Sequence, residues 1–236
     1  MKCPYTTVWL AALGTMCVAF AMDASQSFPA DTPVSDQRLT VRVVDYVNLQ
    51  AGRRGQAEAT AKRILGQAGV MVDFVECFSG GAAIQNPACT AAPGPTVLVL
   101  RIAQPRFALE LEQFGYALIT PEGGVYVTVF INPERRKATV GILSDGVLLG
   151  HAIAHEIGHL LLGTNSHSSS GIMRPVWRQA DEEWMAKGGL LVFNASQARS
   201  MRSALTARLG RPGTSHQPTP ALDASSRVVA MPDFSH

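Results

Sequence analysis

Charge is scarce in this chain: 16% of its 236 residues are Asp, Glu, Lys or Arg, and the formal net charge is +2. No basic block or stripe occurs, which argues against nucleic-acid binding by phosphate neutralisation. Cysteine is limited to four residues, none in a CxxC pair, which disfavours a cysteine-built zinc site. The apolar run of 13 residues at 8–20 falls short of the roughly 20 needed to span a bilayer. Internal repeats are absent too. What the chain has in quantity is apolar: 47% of it is hydrophobic, enough for a sizeable core in one large domain or two small ones.

The N-terminus reads as an export signal. Lys2 gives a minimal positive start, the run 8–20 follows, and Ala19-Phe20-Ala21 matches the small-x-small pattern that precedes cleavage. Residues 1–21 are therefore expected to be a signal peptide, and 22–37, rich in Pro and Ser, a flexible leader. The mature protein is expected outside the cytoplasm, secreted or periplasmic, with no stable membrane insertion. Removal of the signal takes Cys3 and Cys17 with it. Cys77 and Cys89 remain, enclosing eleven residues rich in Gly, Ala and Pro, the usual setting for one disulfide in an exported protein.

Beyond the leader, residues 39–47 are rich in β-branched side chains and predict a strand. Residues 54–68 predict an amphipathic helix with Ala57, Ala61, Ile64, Leu65 and Ala68 on one face. Strands are expected at 70–77, at 96–103, where a continuous apolar run suggests burial, and at 115–120 and 125–131, separated by the turn PEGG. Residues 147–162 are apolar on nearly every side, as in an internal helix, and Gly163 ends them as a C-cap. One more helix is expected at 195–209. From Gly210 onward Pro, Ser and Thr dominate, and a disordered tail is expected.

The segment HEIGHLLLGTNSH, residues 155–167, holds three of the six histidines. His155 and His159 stand four apart on a helix, so their rings project from one face on successive turns. Two such nitrogens can meet one Zn2+ at about 2.0–2.1 Å. Glu156 is rotated off the pair yet stays within reach of a water on that ion. Zinc lowers the pKa of such a water towards about 7, and a carboxylate can then take its proton as it attacks a carbonyl. This is the mechanics of the HExxH motif. The plain alternative is a pair of core histidines, but the helix around them is too apolar to satisfy their nitrogens. A catalytic zinc needs a third protein ligand and one open position. His167, on the polar loop after Gly163, is one candidate. The other is an acid of DEEW (Asp181, Glu182 or Glu183), whose simpler reading is solvated charge at a helix start.

Six residues past His167 lies Met173, in GIMRP. The stretch HEIGHLLLGTNSHSSSGIMRP resembles the three-histidine zinc motif and Met-turn of the metzincin endopeptidases, most closely the matrixin branch. The resemblance implies one catalytic Zn2+ on His155, His159 and His167, Glu156 as general base, and Met173 as an apolar floor. It implies an α+β (α/β-like) fold: a mixed twisted sheet, a long buried active-site helix and a small C-terminal helical subdomain. A single domain is expected over 38–209, its upper part 38–163 and its lower part 164–209. The resemblance spans about residues 39–177, with its specific signal confined to 155–175. Gly163 lies eight residues after His155 and His167 twelve after, where the family spacing is seven and ten, so the loop must bulge. No tyrosine stands two residues past Met173, no histidine precedes His151, and no leader cysteine is left to block a metal.

The implied function is a zinc-dependent endopeptidase acting on a peptide or protein. Its alternatives are an inactive zinc-binding recognition domain and a hydrolase of a non-peptide amide or ester. The oligomeric state is not legible in the sequence, and a monomer is the simpler expectation. An extended substrate is expected along a sheet edge at 115–120, on Gly115, Tyr116, Ala117 and Leu118. Val176 and Trp177 are expected to line a pocket for a medium or large apolar residue after the cleaved bond, although the plainer reading of Trp177 and Trp184 is ordinary packing. His151, one turn before His155, reads as a capped or exposed group near the helix start, its alternative being a group that orients the site.

Overall fold

Leu39, Val41 and Val43 occupy every second position of β1 (Arg38–Asp45), and all three are fully buried. That period of two turns one face of the strand to the core. The computed structural model describes residues 38–92, 94–108, 113–120, 124–132 and 144–210. The expected signal, leader and tail (from 211), and positions 121–123 of the PEGG turn, lie outside the described residues. Among those described, six strands form one sheet in the order β3-β2-β1-β4-β6-β5. The others are β2 (Met71–Ser79), β3 (Ala82–Ala83), β4 (Val97–Ala103), β5 (Gly115–Leu118) and β6 (Tyr126–Phe130). Neighbours β2, β1, β4 and β6 run parallel; β3 and β5 are antiparallel to the strands they flank.

The apolar run in β4 is not buried on both faces, contrary to expectation. Leu98, Leu100 and Ile102 point inward, while Arg101 is exposed and its guanidinium lies 5.5 Å from the centre of the Tyr46 ring. Valine side chains on the outer face made a one-sided strand read as two-sided.

Helix α1 (Ala51–Gln67) begins three residues before the expected start. Gly52 and Gly55 are weak helix formers and mask the beginning. Its buried positions are Ala57, Thr60, Ala61, Ile64 and Leu65. It packs on β2 and on the long helix α3 (Asp145–Leu162), which also crosses β5 and β6. Small residues let the two helices approach closely: a Cβ at Gly150 would stand 2.6 Å from the Ala57 carbonyl oxygen, and one at Gly146 2.9 Å from that of Arg53. No larger side chain fits at either position.

A single helical turn, α2 (Pro87–Thr90), went unread in the sequence although its signals are present. Asn86 caps it by accepting the Ala88 N–H at 2.9 Å, and Pro87 opens it. That turn carries Cys89 to Cys77, and the two form a disulfide. After α3 come α4 (Gln179–Ala186) and α5 (Ala195–Leu209). Asn194 and Gln197 exchange side-chain to backbone hydrogen bonds, both 2.9 Å, at the start of α5. Ala198, Met201, Leu205 and Arg208 form its buried stripe. Two of its arginines tie it to the ends of other elements: Arg202 donates to the Ala68 carbonyl after α1 (2.8 Å), and Arg208 to Gly124 (3.1 Å) and Leu160 (3.4 Å). Helix α5 is thereby pinned to both core helices.

Candidate metal centre

Helix α3 is buried along nearly its whole length, which brings His155, Glu156 and His159 into the interior on their own backbone. It stops at Gly163, which takes the left-handed conformation (φ 65°) and donates its N–H to the His159 carbonyl at 2.9 Å. The chain then folds back. Thr164 turns its carbonyl to His159 Nδ1 at 2.8 Å, and its hydroxyl accepts the Ser166 N–H at 3.1 Å. His167 follows, its ring centred 5.5 Å from that of His155 and 4.9 Å from that of His159. One of the two extra residues precedes Gly163, in the last turn of α3, and the other falls in this turn.

One nitrogen from each of His155, His159 and His167 lies within 4.8 Å of the other two. The protonation pattern suits a cation. His155 Nδ1 is 2.7 Å from the Ile172 carbonyl oxygen. A carbonyl only accepts, so Nδ1 of both His155 and His159 carries the proton and both Nε2 lone pairs are free. Those two Nε2 atoms are 3.0 Å apart and, as two acceptors, need something positive between them. His167 Nε2 is buried with no hydrogen-bond partner. Burial lowers all three histidines: His155 to about 3, with the His159 and His167 charges adding to the effect, His159 to about 4, and His167 in the same direction. Neutral imidazoles are the form that binds metal. The donor set and its orphaned nitrogens fit Zn2+ with three protein ligands.

Glu156 lies on the next face of the helix, and burial raises its carboxyl to about 8. Gly115, at the head of β5, makes room for it: a Cβ there would come to 3.0 Å from Glu156 Cγ. The edge strand and the carboxylate are thus neighbours. Among the described residues no strand lies beyond β5. Along it Gly115 is buried, Ala117 and Leu118 half-buried, and Tyr116 is exposed, with its ring 5.9 Å from Phe130.

Met173 is fully buried against α3. Gly158, between the two histidine turns, has no side chain because a Cβ would meet Met173 Sδ at 2.9 Å and the Phe193 ring at 2.6 Å. The Met173 carbonyl accepts the Ser168 N–H at 2.8 Å, which ties the His167 loop to the residues below the cluster.

The acids of DEEW are not part of the histidine group. Asp181 pairs with Arg174 and accepts the Arg178 N–H at 2.9 Å, while Glu183 accepts from Gln179 at 3.0 Å. Two further expectations are corrected. Trp177 is not a pocket wall: it is 7% exposed, stacks on Phe114 at 4.8 Å and donates to the Ile172 carbonyl at 3.2 Å. Val176 beside it is 62% exposed and lines a groove with His167, Ser168, Arg174 and Arg178. His151 is not exposed but fully buried, with Nδ1 on the Val147 carbonyl (2.8 Å) and Nε2 accepting the Leu191 N–H (3.3 Å). The carbonyls of Thr164 and Ile172, which orient two rings, carry no signal in a sequence.

A mixed sheet lies over a long buried helix, with three histidines converging at the helix's C-terminal end. Among solved structures, archaemetzincin from Methanopyrus kandleri is similar at 14% identity, covering 73% of this chain and 98% of its own, with a TM-score of 0.43. Myroilysin is similar at 12% identity over 68% of this chain and 70% of its own, with a TM-score of 0.31. No protein-family model matches the chain, and no curated protein does. Function is read from the side chains instead.

Proposed function

We propose that this protein is an exported zinc-dependent endopeptidase in which His155, His159 and His167 hold one Zn2+ and Glu156 is the general base. The observation that carries the reading is the convergence of three imidazoles beside the buried Glu156 carboxyl, with the Nε2 atoms of His155 and His159 facing each other and His167 Nε2 without a hydrogen-bond partner. Zinc, when bound, supplies a Lewis acid that acidifies water and polarises a carbonyl. Glu156 takes the proton of the attacking water and passes it to the leaving amine. An extended peptide pairs with β5 through main-chain hydrogen bonds. Gly115 brings that chain to the Glu156 side of the cluster, since no side chain separates them. The groove past His167 receives the residue after the cleaved bond, against the exposed Val176.

Export is supported by the apolar N-terminal run and by the Cys77–Cys89 disulfide, a bond that persists in oxidising compartments. No helix of the described residues is long and apolar enough to cross a membrane.

Glu156→Gln tests the reading, because it keeps shape and hydrogen bonding while removing basicity. The wild type should bind one zinc and cleave peptides from a mixed library, with the activity lost to a chelator. The variant should keep its zinc and lose at least about 10²–10⁴-fold in turnover. If the variant cleaves like the wild type, Glu156 is not the base. If both hold zinc and neither cleaves any peptide, the protein is a binding module or acts on another carbonyl substrate.

A further inference from the structure

Trp177 lies in the core, yet its one polar atom points at the metal centre. Its indole N–H donates to the Ile172 carbonyl oxygen at 3.2 Å, the same oxygen that receives the His155 Nδ1–H at 2.7 Å. A carbonyl has two lone pairs, and here the two donors take one each. The direction of that oxygen sets the plane of the His155 ring, and so the direction of its Nε2 lone pair.

The indole itself is held from several sides. Phe114 stacks on it at 4.8 Å, and the rings of His151 and His155, one helical turn apart, each meet it edge-on at 6.0 Å. His151 is locked in turn, because Nδ1 faces the Val147 carbonyl and Nε2 accepts the Leu191 N–H. The preceding peptide unit is fixed as well, since the Ile172 N–H donates to the Val192 carbonyl at 3.1 Å. The stretch 190–193 is thus bonded both to His151 and to the residue whose carbonyl serves His155. Filling the core would need an apolar ring at position 177; it would not need an N–H aimed at this carbonyl.

We infer that Trp177 is a positioning residue for the metal centre: its indole N–H, sharing the Ile172 carbonyl with His155, holds the His155 imidazole in its ligating orientation. The inference rests on the proposed role of His155 as a zinc ligand. Partners that orient a ligating histidine are worth about 10–100-fold in metal affinity.

Trp177→Phe keeps an aromatic ring against Phe114 and removes the N–H. Zinc affinity is measured by competition with a chromogenic chelator, the cobalt-substituted visible spectrum reports ligand geometry, and melting of the chelated protein reports packing. Phe114→Leu is the control, since it loosens the same stack without touching the hydrogen bond. The expected result is a zinc affinity at least tenfold weaker in Trp177→Phe, with displaced cobalt d–d bands. Phe114→Leu should lower metal-free stability while keeping affinity and spectrum. In the wild type, the Trp177 indole N–H resonance should shift on zinc titration, with the exposed Trp184 indole, bonded to Leu190, as internal reference. That measurement stands if the Phe variant fails to fold. Wild-type affinity and spectrum in Trp177→Phe, equal losses in the two variants, or an indole resonance indifferent to zinc would each overturn the inference. A wild type that binds no zinc overturns the metal site itself.

Discussion

Burying Glu156 among neutral histidines makes the metal-free protein sensitive to pH in a direction that can be worked out. Its carboxyl rises from 4.5 to about 8 on folding, so between those values the folded state holds a proton that the unfolded state has lost. Stability from this group is present below pH 4.5 and is lost as pH rises through about 8. The histidines act the other way. His155 and His159 fall from 6.5 to about 3 and about 4, so their contribution is present above 6.5 and lost as pH falls. Between 4.5 and 6.5 the two histidines outweigh the one carboxyl and stability climbs. Between 6.5 and 8 only the carboxyl still titrates, and stability declines. The maximum for chelated protein is therefore expected near pH 6.5. The decline to pH 8 spans about 1.5 pK units, or about 2 kcal/mol at 1.36 kcal/mol per unit. With a urea slope of about 1–3 kcal/mol/M, the midpoint drops by roughly 1 M. Urea titrations of the chelated wild type at pH 6.5 and 8 measure it. Glu58 is also raised, chiefly by burial, and Glu156→Gln isolates the buried group. In that variant most of the alkaline decline should vanish. A wild type no less stable at pH 8 than at 6.5, or a variant that declines as steeply, would refute the assignment.

Zinc stoichiometry separates the candidate third ligands: His167→Ala should lose the metal, and Glu182→Ala combined with Glu183→Ala should retain it; the reverse pattern would move the site to α4. Intact mass of the exported protein without reductant should be two hydrogens below the fully reduced value, and two alkylatable thiols would contradict the Cys77–Cys89 disulfide. Gly115→Ala forces a Cβ against the Thr128 carbonyl and Glu156 Cγ. It should cost about 1–3 kcal/mol in thermal or urea unfolding and depress peptide cleavage further than that loss explains. Cleavage of a peptide library should favour apolar residues after the scissile bond, through Val176, and a profile favouring charge there would count against that groove.

The parts of the site legible in the sequence are those set by local geometry. Two histidines four apart on a helix apolar all round face one way whatever surrounds them. Gly163 can take positive φ wherever it lies, and it does so here. Structure and sequence differ where distant chain decides. His151 looked exposed because the expected helix began at 147; α3 in fact starts at Asp145, and the residues that cover it arrive forty positions later, at Leu191. Trp177 next to an exposed Val176 looked like one apolar surface. In the structure their side chains part, Val176 into the groove and Trp177 beneath the histidines.

The loop between His159 and His167 shows why the spacing could differ from the family pattern without scattering the ligands. A helix fixes the relation of His155 to His159 residue by residue, and one insertion there would rotate a ring by about 100° off the shared face. Past His159 no such constraint holds: one extra residue lengthens the last helical turn before Gly163, and the other lies in the loop after it. A loop need only return its last side chain to the right point, and lengthening a loop costs little entropy. Three bonds set that return: the Thr164 carbonyl on His159, the Thr164 hydroxyl on the Ser166 N–H, and the Met173 carbonyl on the Ser168 N–H. They clamp the loop immediately before and after His167. Ser166 and Ser168 are thus held on either side of His167, which fixes the position of the third nitrogen.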